Sequence, residues 1–307
     1  MPLGSAKVGL FGAAGVSTGG GDRGLKFLGM FSNHPSYTVY NVIEYITISS
    51  TGNGTDFGDA YATGRQPACA SNGVTDRGLI CGGTSQGSGG SGGSGSKVNI
   101  IEYVTISSAG DSSNFGDYFG AYAGDAGTQA GGSNGSNDRA IFALTNSSDS
   151  TQIGYNTVSS AGDTQDFGNR TISQVWGNNG AFCSNGTNER GVFLGGAAPA
   201  HTPESYDSVH AYSHAQMTTM DYITINSAGN ATDFGDLTIQ CCFNSSCSND
   251  TNERGICWGG YNYTSPSGSE TNPNVIQYIT INSAGNATDF GDQLDNPNEA
   301  SGRYLLA

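Results

Sequence analysis

Four histidines and six tyrosines are the side chains of this chain best suited to ligand recognition, and all ten lie between strand-like segments. His34, Tyr37 and Tyr40 fall in FSNHPSYTVYN (31–41). His201, Tyr206, His210, Tyr212 and His214 fall in AAPAHTPESYDSVHAYSHAQMTTM (197–220), and Tyr261 and Tyr263 in YNYTSPSGSETNPN (261–274). Tyrosine offers a flat apolar face with a polar tip, which suits stacking on a sugar or packing against a protein partner. Loops mounted on a rigid frame are where recognition is usually placed. Tyr37, Tyr40, Tyr206, His210, Tyr212, His214, Tyr261 and Tyr263 are therefore the candidate binding set. A metal held by His210 and His214, with His201, Asp207 or Glu204, needs a helix to bring the HxxxH pair onto one face. The Ser-, Pro- and Tyr-rich surroundings do not call for one, so neither a metal nor a cofactor is expected.

A second set is repetitive. Arg23, Arg77, Arg139, Arg190 and Arg254 each follow an acid (Asp22, Asp76, Asp138, Glu189, Glu253), and acids including Asp59, Asp117, Asp236 and Asp292 recur further on. Catalysis requires different groups in different roles, and identical copies do not supply them. These residues are expected to be structural ion pairs bridging strands or blades through charge-assisted hydrogen bonds, and no catalytic residue is assigned. The seven cysteines (69, 81, 183, 241, 242, 247 and 257) lack paired metal-type spacing. They are expected to fill space as small apolar side chains, with Cys241, Cys242 and Cys247 as the one cluster to test.

The elements that position these residues are repeats. One phrase occurs five times, starting at Tyr45 (YITISSTGNGTDFGD), Tyr103, Tyr155, Tyr222 and Tyr278 (YITINSAGNATDFGD), with starts 58, 52, 67 and 56 residues apart. A period of this length containing several short strand signals marks a propeller-like array. The second unit divides into PACASNG (67–73), DRGLICGG (76–83), NIIEYVTI (99–106) and NFGDY (114–118). The turn between the last two pieces is rich in Gly, Asn and Asp, the residues that supply left-handed backbone angles and local hydrogen bonds. The expected fold is all-β: a single propeller domain over 1–307 with five four-stranded blades at about 6–60, 61–118, 119–170, 171–236 and 237–292. Residues 293–307 would form a closing strand, or begin a sixth blade as the alternative. The connection from second to third strand varies most, from the Gly/Ser linker at 84–97 to the long 197–220 segment.

Composition sets further bounds. Glycine contributes 49 of 307 residues and charged residues only 12%, a mix suited to short strands and tight turns. The net charge of −15 argues against a nucleic-acid partner, which needs a basic footprint. No apolar run reaches the roughly 18–20 residues of a membrane span, so no membrane insertion is expected.

The small first strand, the second strand ending in GG, the third with a central aromatic and the outer one with an aromatic resemble the Kelch-like β-propellers. Phe57, Phe115, Phe167, Phe234 and Phe290 stand where that class carries Trp. The phrase YITI-S-GNATDFGD followed by RG-GG is similar to repeats of virion and tail-associated proteins of aquatic tailed bacteriophages. The turn also loosely resembles the Asp-box hairpin of sialidase propellers, but no arginine triad can be assembled from Arg65, Arg170 and Arg303. These resemblances imply a non-enzymatic protein on a virion tail or capsid surface. It would bind other virion proteins and present variable loops to a host cell-surface glycan or protein. The alternatives are a purely architectural decoration protein without ligand and, last, a glycan hydrolase.

Overall fold

A computed structural model describes residues 22–33, 36–64, 67–71, 75–83, 99–118, 127–133, 138–145, 150–174, 180–185, 189–199, 214–242, 244–248, 253–260, 262–264, 269–271 and 274–293. All regular structure among them is β. The first blade shows β1 (Arg23–Asn33), β2 (Ser36–Thr47) and β3 (Thr55–Gly64); its expected inner strand lies outside the described residues. The second is β4 (Ala68–Ser71), β5 (Arg77–Cys81), β6 (Ile100–Thr105) and β7 (Ser113–Asp117), and the third is β8 (Gly127–Gly132), β9 (Arg139–Thr145), β10 (Ser150–Thr157) and β11 (Gln165–Gln174). The fourth begins with β12 (Ala181–Ser184) and β13 (Arg190–Leu194). A side hairpin follows, β14 (Ala197–Pro199) with β15 (His214–Gln216), and the blade ends with β16 (Thr219–Thr224) and β17 (Thr232–Asp236). The fifth is β18 (Ser245–Ser248) and β19 (Arg254–Trp258), a side hairpin of β20 (Asn262–Thr264) and β21 (Ser269–Thr271), then β22 (Val275–Thr280) and β23 (Thr288–Asp292). Each blade is an antiparallel up-and-down sheet, and the five are arranged as a β-propeller. The proposed closing strand at 293–307 lies, apart from Gln293, outside the described residues.

The recurring Phe-Gly-Asp/Asn sequence has a mechanical reason. Where third and fourth strands pair, the register slips at the same point in every blade, between Ile43 and Glu44, Ile101 and Glu102, Ile153 and Gly154, Met220 and Asp221, and Ile276 and Gln277. The slip is a β-bulge that leaves the Phe unpaired in the ladder. Phe57, Phe115, Phe167 and Phe234 are buried, and each packs edge-on against its blade's Tyr at 5.9–6.1 Å between ring centres. The glycine after each Phe takes a positive φ, 147° at Gly58 and 144° at Gly168, which a side chain rarely adopts.

The core lies between blades. One buried cluster joins Leu25, Phe27, Ile43 and Phe57 of blade 1 to Val104 and Ile106 of blade 2. A second joins Leu79, Ile101, Phe115 and Tyr118 to Ala140, Phe142 and Val158. A third joins Ile141, Ile153 and Phe167 to Phe193, Ile223 and Ile225, and a fourth joins Val192, Met220 and Phe234 to Cys257, Ile279 and Ile281. Both faces of the third strand are apolar because each packs on a different neighbour.

Candidate functional site

Antiparallel pairing puts the variable and the regular connections at opposite ends of each blade. In blade 1 the β1–β2 hairpin closes at Asn33 and Ser36, whereas the repeat turn joins β2 to β3 at the other end, beyond Tyr45 and Thr55. The same order in the other blades gathers the connections that carry the histidines and tyrosines at one end. Part of what the sequence suggests as loop is paired strand: Ala197–Pro199 pairs with His214–Gln216, and Asn262–Thr264 with Ser269–Thr271. His214 therefore opposes Pro199 across a hairpin, and Tyr263 opposes Glu270. Tyr37 pairs with Ser32 in the first hairpin. Tyr206, His210, Tyr212 and Tyr261 lie outside the described residues, as do His34 and His201. Tyr40 is 43% exposed and is joined by Tyr61, at 71%, which sequence reasoning missed. Tyr61 sits just past the repeat phrase, where no periodicity marks it out.

The repeat end of each blade is occupied by a clasp. The amides of Gly110 and Ser112 in the blade 2 turn donate to the carbonyls of Phe57 (2.6 Å) and Asp59 (2.9 Å) in blade 1. The Asp59 amide donates back to the Asp111 carboxylate at 2.9 Å. The same three bonds link Gly162, Asp163 and Thr164 to Phe115 and Asp117, and Gly229, Asn230 and Ala231 to Phe167 and Asn169. They recur between Gly285, Asn286 and Ala287 and the pair Phe234 and Asp236. A Cβ on Gly58 would sit 2.5 Å from the Gly110 carbonyl, so glycine is needed for close approach as well as for φ.

The repeated arginines act across the same seams. Arg23, Arg77, Arg139 and Arg190 donate to the carbonyls of Ile106, Val158, Ile225 and Ile281 in the following blade, at 2.8–3.2 Å. All five repeated arginines, Arg254 included, lie over their own blade's Tyr ring at 4.3–4.8 Å, a cation–π contact. This corrects the expected ion pairs at Arg23 and Arg77, whose partners are a carbonyl and a ring. The physical reason is that the acids are committed elsewhere. Asp22 and Asp76 accept from the amides and hydroxyls of Ser49 and Ser107. Asp59, Asp117, Asp236 and Asp292 are exposed, and the first three use their backbone amides in the clasp.

One seam differs. Arg170 Nε donates to Asp221 Oδ2 at 2.8 Å, and both side chains are buried. Thr171 adds its hydroxyl to the other carboxylate oxygen, and the guanidinium lies 5.0 Å over Phe193. Arg170 Nη2 has no partner, and burial lowers the pKa of this guanidinium against the opposing pull of Asp221. Ala60, Tyr118 and Leu237 hold the position of Arg170 in other blades, so Arg170 brings a buried cation to a place that carries none elsewhere in the repeat.

All seven cysteines are free thiols, five of them buried. Cys257 accepts from Cys241 and, at 2.9 Å, from Asn244 Nδ2. The Cys241 bond, aided by Asn244, holds the Cys257 thiol below its ordinary pKa despite burial. The same bond and burial push Cys241 up. Among the described residues no group of three or more His, Cys, Asp or Glu is placed to hold a metal, and no helix is long and apolar enough to cross a membrane.

No family model matches the chain, and no curated protein is similar to it. Among solved structures the chain is similar to one titled "Structure of YjhT", with a TM-score of 0.59 and 14% identity over 88% of this chain and 82% of that one. At that identity the two share the course of the backbone through the blades, and the likeness carries no chemistry. The Kelch-like and bacteriophage resemblances rest on the residues quoted above.

Proposed function

We propose that this protein is a non-enzymatic structural and adhesive component of a bacteriophage particle. In this reading it sits on the tail or capsid surface, bound to other virion proteins, and presents its variable connections to a host cell-surface glycan or protein. The observation that supports it is the division of labour within each unit. The Gly-Asx turns of blades 2–5, and the Phe-Gly-Asp/Asn strands and arginines of blades 1–4, make the blade-to-blade contacts. What remains free to differ is the opposite end, where the Tyr- and His-bearing segments are inserted between paired strands. Many copies on one particle would add weak individual contacts through effective concentration. The net charge of −15 keeps such a surface soluble.

The test is binding of purified protein to bacterial surface polysaccharides and to whole bacterial cells. Changing Tyr206 and Tyr212 together to Ala, or exchanging the 200–213 tip for a Gly/Ser linker, abolishes that binding while the melting temperature stays unchanged. Variants that bind as the parent does would remove the adhesive reading and leave an architectural one.

A further inference from the structure

Four of the five clasping turns in the chain are engaged, and four of the five strands they grip. The fifth of each is uncovered. Phe290 is 53% exposed, where Phe57, Phe115, Phe167 and Phe234 are at 2–3%. A Cβ built on Gly291 meets nothing within 4 Å, although its φ of 143° matches that of its clasped equivalents. Arg254 keeps its place over Tyr278, yet it is exposed where the other four repeated arginines are half-buried. Blade 1 carries the matching exposed surface. Ile48 is 46% exposed, against 0–7% for Ile106, Val158, Ile225 and Ile281. Ile46 is also exposed, although the residues in its place on the other four third strands are buried. Glu44 shows the same state by its partner. Its equivalents Glu102, Asp221 and Gln277 accept hydrogen bonds from Tyr61, Thr171 and Thr238 of the preceding blade, whereas Glu44 pairs with Lys26 of its own sheet at 2.7 Å.

These two surfaces are the two halves of one seam. Blade 5 offers the Phe, the bulge glycine and the arginine; blade 1 offers the Gly52-Asn53 turn, the Ile48 carbonyl and an apolar third strand. The complementarity is the one already formed four times in the chain, so the occupant is identified by repetition. Neither 1–21 nor 294–307 contains an S-x-G-Asx turn, so those segments lack the part that would grip Phe290–Asp292. Among the described residues of one chain the two halves do not cover each other. We propose that the blade 5 face binds the blade 1 face of a second copy of this chain, head to tail, through a fifth seam like the internal four. Such a contact is heterologous, so it produces a closed ring of chains if the rotation closes and a filament if it does not. The inference is independent of what the variable connections bind.

The test uses the full chain with two substitutions, Ile48→Asp on one face and Phe290→Asp on the other. Both side chains are exposed in the single chain, so each variant should melt as the parent does when dilute. In sedimentation velocity the parent grows beyond one chain as concentration rises, and each variant alone stays a single chain. An equimolar mixture forms a species of two chains and no larger, because each variant contributes one intact face. An Asn53→Ala variant, which removes only the side-chain bond of the clasp, shifts the parent's association to several-fold higher concentration. A parent that remains a single chain at all concentrations overturns the proposal, and so does a mixture that fails to pair.

Discussion

Replacing Gly168 by Ala and, separately, Gly291 by Ala isolates the energy of one clasp. The two glycines have nearly identical backbone angles, φ 144° and 143°, so the conformational penalty of adding a Cβ is common to both, of order 1 kcal/mol or somewhat more. They differ in what the Cβ meets. At Gly168 it would lie 2.5 Å from the Gly229 carbonyl carbon and 2.9 Å from the Asn230 amide nitrogen, while at Gly291 it meets open space. Backbone atoms cannot swing aside as a side chain can, so relief requires the blade 4 turn to retreat. That retreat breaks three hydrogen bonds: Gly229 to Phe167 (2.7 Å), Ala231 to Asn169 (2.7 Å), and Asn169 to the Asn230 side chain (3.1 Å). At about 1 kcal/mol each, the loss is about 3 kcal/mol beyond the shared penalty. A 307-residue chain unfolds with an entropy near 0.6 kcal/mol per kelvin on the usual per-residue scale. Gly168→Ala therefore lowers the melting temperature by about 5 °C more than Gly291→Ala does. Both are made in the Ile48→Asp background, which keeps the chain single and the Gly291 face uncovered. Hydrogen exchange supplies a local readout, since the Asn169 amide loses protection in Gly168→Ala alone. Equal shifts within about a degree, or unchanged protection at Asn169, would refute the clasp as a source of stability.

Two further outcomes follow from buried groups. Arg170→Met leaves the Asp221 carboxylate buried and unpaired, which costs about 3–5 kcal/mol, and adding Asp221→Leu recovers most of it because the charge to be satisfied is gone; melting curves in which the double variant is no better than the single would contradict this. Of the thiols, only exposed Cys247 and half-buried Cys69 react with a thiol reagent in the folded chain. Burial holds Cys81 and Cys183 above their ordinary pKa, with neighbouring thiols adding to it. The unfolded chain therefore releases these protons first, and the stability they contribute is full below about pH 8.5 and lost as pH rises beyond it. Unfolding midpoints measured from pH 7 to pH 11 should fall across that range, and less steeply in Cys183→Ala.

The division into blades was legible because it is written five times. Strand order, the Tyr-centred third strand and the turn at its end all follow from one phrase and its spacing. The purpose of that phrase was not legible, because the Gly-Asx turn satisfies every local rule for a hairpin connection. Nothing in the order of residues shows that its amides reach across to the previous sheet. The arginines misled for a related reason. An acid beside each one suggests an ion pair, but at Arg23 and Arg77 the acid is taken by the nearby Ser and the guanidinium by a carbonyl some eighty residues away. The pairing of Arg170 with Asp221 was not legible because Arg170 stands where the other blades carry Ala60, Tyr118, Leu237 and Gln293, with no periodic partner to suggest it. Only the pairing of blades shows that this departure faces Asp221, at a position where Glu44 and Glu102 are also acids.

That pairing also explains how one seam can differ while the propeller stays regular. The clasp, the arginine-to-carbonyl bond and the packed Phe fix the spacing and angle between neighbours, and they are common to all four internal seams. With the geometry set by those parts, the residue following the Phe-Gly-Asp/Asn step is free to vary among Ala60, Tyr118, Arg170 and Leu237. Its partner on the next third strand varies with it. Where Arg170 enters, Asp221 meets it; where Ala60 stands, Glu102 instead takes the Tyr61 amide and the Ser112 hydroxyl. In a repeat array whose stability is a sum over neighbouring interfaces, such paired differences give each blade a preferred successor. They therefore work against misdocking between sheets that share the same phrase. The uncovered faces obey the same logic: Phe290–Asp292 is shaped for a Gly-Asx turn, and the spare turn in the chain is at Gly52 and Asn53.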